Sequence, residues 1–219
     1  VNNGLKLIDF GSLQKKIFIN KGEQNNLGGQ LLSALNKDDA FSQLTTGKDI
    51  VLAKGDLILS TQNANIFFPG GQQQGFSMAL FSPVGTFPHA YDPMFMPYWL
   101  YTLHPMGVEV EGTLAFDFAL PKLDIIDDYV WKDGAYILLV GLDAERDLIV
   151  PQGVGIVENH RVKLLRSEYT RLDYIGYAPM PGQAFASMQA YAEESINLDT
   201  MVTQIRGLLT SANSEGGAQ

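Results

Sequence analysis

Apolar and polar positions alternate in short runs along most of the chain, and glycine, proline or acidic residues break each run. A period of two with closely spaced turn signals predicts strands. Residues 49–61, DIVLAKGDLILST, are two apolar runs joined by Lys54, Gly55 and Asp56, which predicts a hairpin. After a Gly/Gln turn, Phe76, Met78 and Leu80 alternate into a further strand. Pro69 should end or edge the strand before it, because proline has no N–H for a ladder. Strands are expected at 98–104 and 113–120 about a turn at Gly107 or Gly112. Others are expected at 136–142, 148–150, 154–157 and 162–165, with turns at 143–147 and at Glu158, Asn159 and His160. Nearer the start, Ile17 and Ile19 alternate about Phe18 in a strand-like piece. Leu31, Leu32 and Leu35 have helical spacing in a stretch limited by Gly28, Gly29 and Gly47, so a short helix or an irregular connection is expected there.

Past Tyr177 the period changes. Phe185, Met188, Tyr191 and Ala192 fall on one helical face, and Pro181 suits the start of a helix. Asn197 is placed to cap a second helix with the stripe Leu198, Met201, Ile205, Leu208 and Leu209. The pattern predicts a mainly β protein, an antiparallel β-sandwich with a C-terminal helical hairpin. Residues 1–47 are expected to supply N-terminal strands and a connection, 48–177 the sandwich core, 178–210 the helical appendage and 211–219 a flexible tail.

Composition narrows the chemistry. The chain has 219 residues, long enough to bury a core without covalent staples. Its 24 acidic and 15 basic residues leave a formal charge of −9, which argues against binding nucleic-acid backbones. It contains no cysteine, which excludes disulfides, thiolate catalysis and Cys-ligated metals. Abundant Asn and Gln with 18% charged residues lean toward an exported protein, extracellular or at the cell surface. No apolar run reaches the length of a membrane span. The first residues lack the basic and apolar regions of a signal peptide, and a start at Val1 reads as a processed chain or an excised fragment.

Candidate chemistry is sparse. His89, His104 and His160 are scattered with no metal-binding spacing, and His104 reads as a strand-end imidazole. Alternate acids in a turn can supply calcium oxygens, so Asp143, Glu145 and Asp147, or Asp124, Asp127 and Asp128, are the candidate calcium ligands. Neither run matches an EF-hand, and a solvated acidic loop is the preferred reading, so no cofactor is expected. No nucleophile elbow, phosphate loop or dinucleotide fingerprint appears, and no catalytic residue is assigned. The most unusual segment is the loop GTFPHAYDPMFMP and the strand after it. Phe87, Tyr91, Phe95, Tyr98 and Trp99 are the candidate ligand- or partner-binding residues there. A cap on the core or a contact with a neighbouring domain is preferred over an exposed platform.

Residues 55–85, GDLILSTQNANIFFPGGQQQGFSMALFSPVG, resemble a ZU5-type opening: a glycine-led strand, a gap, an apolar strand ending in Pro-Gly, then another strand. YTLHPMGVEVEGTLAFDFALP and AYILLVGLDAERDLIVPQGVGIVENHRV are similar to the parts that follow. The resemblance covers residues 48–162 and implies a ZU5-like or Ig-like sandwich of large bacterial surface or exported proteins, used for interaction or spacing, with no catalytic residues to carry over. The aromatic loop and the helical C-terminal part depart from the pattern. The expected function is a non-enzymatic structural, adhesion or assembly module that self-assembles or contacts other proteins by β-edge pairing or aromatic packing. One alternative is a carbohydrate- or small-ligand-binding module using Tyr91, Tyr98 and Trp99. A second is a glycoside hydrolase with two converging carboxylates.

Overall fold

The computed structural model describes residues 42–44, 48–52, 55–70, 75–81, 89–120 and 132–215. The expected elements around Ile17 and around Leu31, the candidate residue Phe87, the acids Asp124, Asp127 and Asp128, and the last tail residues 216–219 lie outside them.

The described chain is mainly β and antiparallel, with two C-terminal helices. Its strands are β1 (Ser42–Gln43), β2 (Ile50–Leu52), β3 (Leu57–Phe67), β4 (Gly75–Phe81), β5 (Ala90–Tyr91) and β6 (Trp99–His104). They continue as β7 (Glu109–Ala119), β8 (Tyr136–Asp143), β9 (Leu148–Glu158), β10 (Arg161–Ser167) and β11 (Tyr174–Ala178). Helices α1 (Phe185–Ala192) and α2 (Leu198–Glu215) follow. The strands join in the order β1-β4-β6-β11-β8-β9-β10-β7-β3-β2, with β5 beside β9. Every pairing is antiparallel except β5 with β9.

This sheet curls on itself. Strands β8, β9 and β10 lie between β11 and β7 in the order, yet Phe118 of β7 stacks on Tyr177 of β11 with centroids 5.4 Å apart and planes 13° apart. Tyr101 of β6 meets Phe118 edge-on at 5.8 Å and donates its hydroxyl to the Ala119 carbonyl at 3.3 Å. The two ends of the path also approach each other, since Ser42 Oγ of β1 donates to the Val51 carbonyl of β2 at 2.7 Å. The inner face holds a core that includes Leu57, Leu59, Leu103, Phe116, Ile137, Leu139, Val157 and Ile175.

The helices cover part of the outer face. Met188 and Tyr191 of α1 and Met201 and Ile205 of α2 pack with Leu138, Val140, Val154 and Tyr174 of the sheet. Strand β8 therefore feeds both cores, Ile137 and Leu139 inward and Leu138 and Val140 outward. A strand covered on both faces carries an unbroken apolar run instead of an alternation. Arg166 of β10 fastens the helices down. Its Nη1 donates to the Tyr191 and Ile196 carbonyls at 2.7 and 3.1 Å, and its guanidinium lies 4.4 Å from the Tyr191 ring centroid. The Tyr191 carbonyl lies in the last turn of α1 and the Ile196 carbonyl just beyond it, where intrahelical donors run out. As expected, Asn197 caps α2, its Oδ1 accepting from the Thr200 N–H at 2.8 Å. Met201 and Ile205 of the predicted stripe are buried, while Leu208 is 37% exposed.

Several sequence expectations change. The pieces expected at 148–150 and 154–157 are one strand, β9, running through Pro151. Proline is tolerated there because the ladder with β8 slips at that point: Leu139 faces Gly153 while Val140 faces Pro151. Strand β11 was not predicted. It is buried throughout and lacks the alternation that would reveal it. Gly176 in it allows close approach, since a Cβ there would lie 2.5 Å from Leu100 Cδ1. Strand β7 starts at Glu109, so Gly112 lies inside a strand, facing Ala64 of β3. Helix α2 continues to Glu215.

Gly112 has φ +99°, and a Cβ there would meet the Asn63 carbonyl oxygen at 2.6 Å. Gly134 has φ +86° with open space around it. Gly134→Ala should therefore cost only the left-handed backbone penalty, about 1–2 kcal/mol. Gly112→Ala adds a collision with backbone and should cost more, about 3 kcal/mol in all. Urea unfolding of the two variants checks the order, and equal losses would contradict it.

Candidate functional site

The β8–β9 turn, the first residues of β7, the 168–171 stretch and the N-terminal part of α2 wall an open groove of about 830 Å³. Leu148, Val150, Leu198 and Val202 give it an apolar lining, and all four are only half-buried. Its charged lining is Asp92, Glu109, Glu111, Asp143, Glu145, Glu168 and Asp199 against Arg146, Arg171 and Arg206.

Each arginine already has a carboxylate. Arg146 Nε lies 3.4 Å from Asp143 Oδ2. Arg206 Nη2 lies 2.7 Å from Asp92 Oδ2, with its guanidinium 5.2 Å from the Phe95 centroid. Arg171 Nη2 lies 2.6 Å from Asp173 Oδ2, and Asp173 Oδ1 accepts from the Gly107 N–H at 2.5 Å. Burial pushes the Asp173 carboxyl above its ordinary range, against the pull of the Gly107 N–H and Arg171. Burial also acts to raise Asp92, but the Met94 N–H and Arg206 outweigh it and hold that carboxyl below the usual range. Among the described residues, Glu109, Glu111, Glu168 and Asp199 have no cation at ion-pair distance.

A buried polar chain lies next to the groove. His89 Nδ1 is 2.6 Å from Asp147 Oδ1, and His89 Nε2 is 3.0 Å from the Tyr174 hydroxyl. A carboxylate only accepts, so Nδ1 carries the proton and Nε2 accepts from the tyrosine. This chain ties the segment before β5 to the β8–β9 turn and to β11. The imidazole and the Tyr174 ring also meet edge-on at 5.1 Å. His104 ends β6, as expected for a strand-end imidazole, and its Nε2 lies 3.2 Å from Thr102 Oγ1. Burial holds the His104 ring well below its ordinary range, at about 4.

The predicted aromatic cluster is distributed over two cores. Phe95 is 1% exposed in the outer core, under Arg206, with the half-buried Tyr91 packed against the same core. Tyr98 and Trp99 are half-buried against the inner core, and Tyr98 lies 6.2 Å from the Tyr177 ring. The acids of the β8–β9 turn do separate jobs. Asp143 Oδ1 accepts from the N–H groups of Glu145 and Arg146 at 3.0 and 3.1 Å, and Asp147 holds His89. Among the described residues no three His, Asp or Glu side chains converge as a metal site. No helix among them is long and apolar enough to cross a membrane.

Compared with family models, curated proteins and solved structures, the chain matches none. Sequence reasoning missed the groove because its walls come from residues 92 to 206. It missed the Asp147–His89 pair because 58 positions separate the two residues. Only the acidic turn at 143–147 hinted at either.

Three variants test these buried groups. Between about pH 6.5 and 4 the unfolded chain binds a proton at His104 that the folded protein refuses. The stability from neutral His104 is present above that window and is lost as pH falls through it. His104→Gln should flatten this loss, measured as the change in urea midpoint between about pH 7 and about pH 5. An unchanged slope would remove His104 as its source. Asp173→Ala leaves Arg171 and the Gly107 N–H without their acceptor and should cost about 3 kcal/mol. Asp147→Ala, at a 22% exposed carboxylate, should cost about 1 kcal/mol. Thermal or urea unfolding checks both.

Proposed function

We propose that this chain is a non-enzymatic contact module, a structural or assembly part of an exported protein that acts through protein–protein contacts. The observation that carries the reading is the groove: an apolar lining beside carboxylates that no cation of the described chain neutralises. Open concave surfaces of this kind suit a partner segment better than a small substrate, which binds in enclosed pockets. The buried titratable groups support the same reading. His89, Asp147, Asp173 and Arg171 join β5, β11 and the turns to one another. In this reading the curled sheet works as a sandwich. The arm β7, β3 and β2 faces the arm β4, β6 and β11 across the inner core, and the helices form an outer layer. A chain rich in Asn and Gln with few charged residues suits an exported setting, and the ZU5-like resemblance points the same way.

Light scattering on size-exclusion fractions over a wide concentration range tests the assembly form of this function. The average mass should rise with concentration, and a strict monomer throughout would sink self-assembly. Turnover of a glycan panel, abolished by a single Asp or Glu substitution, would overturn the non-enzymatic reading.

A further inference from the structure

Among the described residues, no cation lies at ion-pair distance from Glu109, Glu111, Glu168 or Asp199, and no lysine lines the groove. A partner that fits must bring positive charge to these carboxylates and apolar side chains to Leu148, Val150, Leu198 and Val202. The chain contains such a stretch. Residues 13–22, LQKKIFINKG, carry Lys15, Lys16 and Lys21 and no acid, in a chain whose formal charge is −9. Leu13, Ile17, Phe18 and Ile19 supply the apolar groups. The stretch lies outside the described residues, so the match rests on its sequence alone.

We propose that the groove of one copy receives residues 13–22 of a second copy, with the lysines against Glu109, Glu111 and Asp199. This deepens the assembly reading and rests on it. Donor segment and acceptor groove are different parts of one sequence, so reciprocal exchange closes a pair and head-to-tail addition extends a chain. Association weakens with salt because the paired charges lie at the groove's exposed rim.

Two variants of the full chain separate the halves of the contact. One carries Lys15→Gln, Lys16→Gln and Lys21→Gln and keeps the groove. The other carries Glu109→Gln, Glu111→Gln and Asp199→Asn and keeps the donor. Each alone should self-associate at least about tenfold more weakly than the parent, three surface charge contacts being worth together about 1.4 kcal/mol. Mixed, they should form a one-to-one pair that grows no further, since only one donor and one acceptor remain. Light scattering and sedimentation velocity read both results. Parent-like association of either variant alone would overturn the groove assignment and leave the contact-module reading standing. A parent that is monomeric at every concentration, as it would be if the segment docked on its own groove, would overturn the assembly reading as well. Failure of the mixed variants to pair, when each melts like the parent, would overturn the donor–acceptor match.

Discussion

Phe118 stacking on Tyr177 across the interior is the contact on which the rest of the structure depends. Strands with three others between them in the sheet can meet only if the sheet curls. Curling gives the sheet an inside that aromatic and branched side chains fill. Each such side chain contributes roughly 1.5–3 kcal/mol when fully buried. Curling also leaves an outer face on β8, β9 and β11 that is itself apolar, and α1 and α2 cover it. The groove follows from this cover, because α2 spans part of the outer face and leaves a trough beside the β8–β9 turn.

Polar groups buried in such a body must be satisfied or they cost several kcal/mol. Several of them here are satisfied by linking segments that are distant in sequence. Asp173 reaches the Gly107 N–H, His89 bridges Asp147 and Tyr174, and the Tyr169 hydroxyl donates to the Val140 carbonyl at 2.7 Å. These bonds orient the loops around the groove. The β8–β9 turn is held from below by His89 and across its tip by Asp143, so its acidic rim has a defined position.

That division of labour underlies the functional argument. The buried ionisable groups hold strands and turns together, and among the described residues Glu109, Glu111, Glu168 and Asp199 have no cation at ion-pair distance. An acidic chain with a basic stretch at residues 13–22 carries both partners of an electrostatic contact in a single sequence. Charge complementarity of this kind sets register and partner choice more than raw affinity. The apolar lining of the groove supplies area for the contact.

Local order was legible in the sequence. Alternation located β2 and β3 with their hairpin, β4, β6, most of β7 and β10, an unbroken apolar run located β8, and the helical period with Asn197 located α2. These features depend on near neighbours, so a one-dimensional pattern records them. Strand β11 was hidden because burial on both faces removes alternation, and the continuity of β9 was hidden because Pro151 reads as a break until the slip opposite it is seen. Of the candidate site, the sequence showed an acidic turn and an aromatic cluster without their neighbours. Tertiary structure decided that Phe95 lies in a core, that Asp147 serves His89, and that carboxylates from β7, the 168–171 stretch and α2 share one trough. Those outcomes depend on the curl, which is set by packing between residues such as Phe118 and Tyr177, 59 positions apart in the sequence.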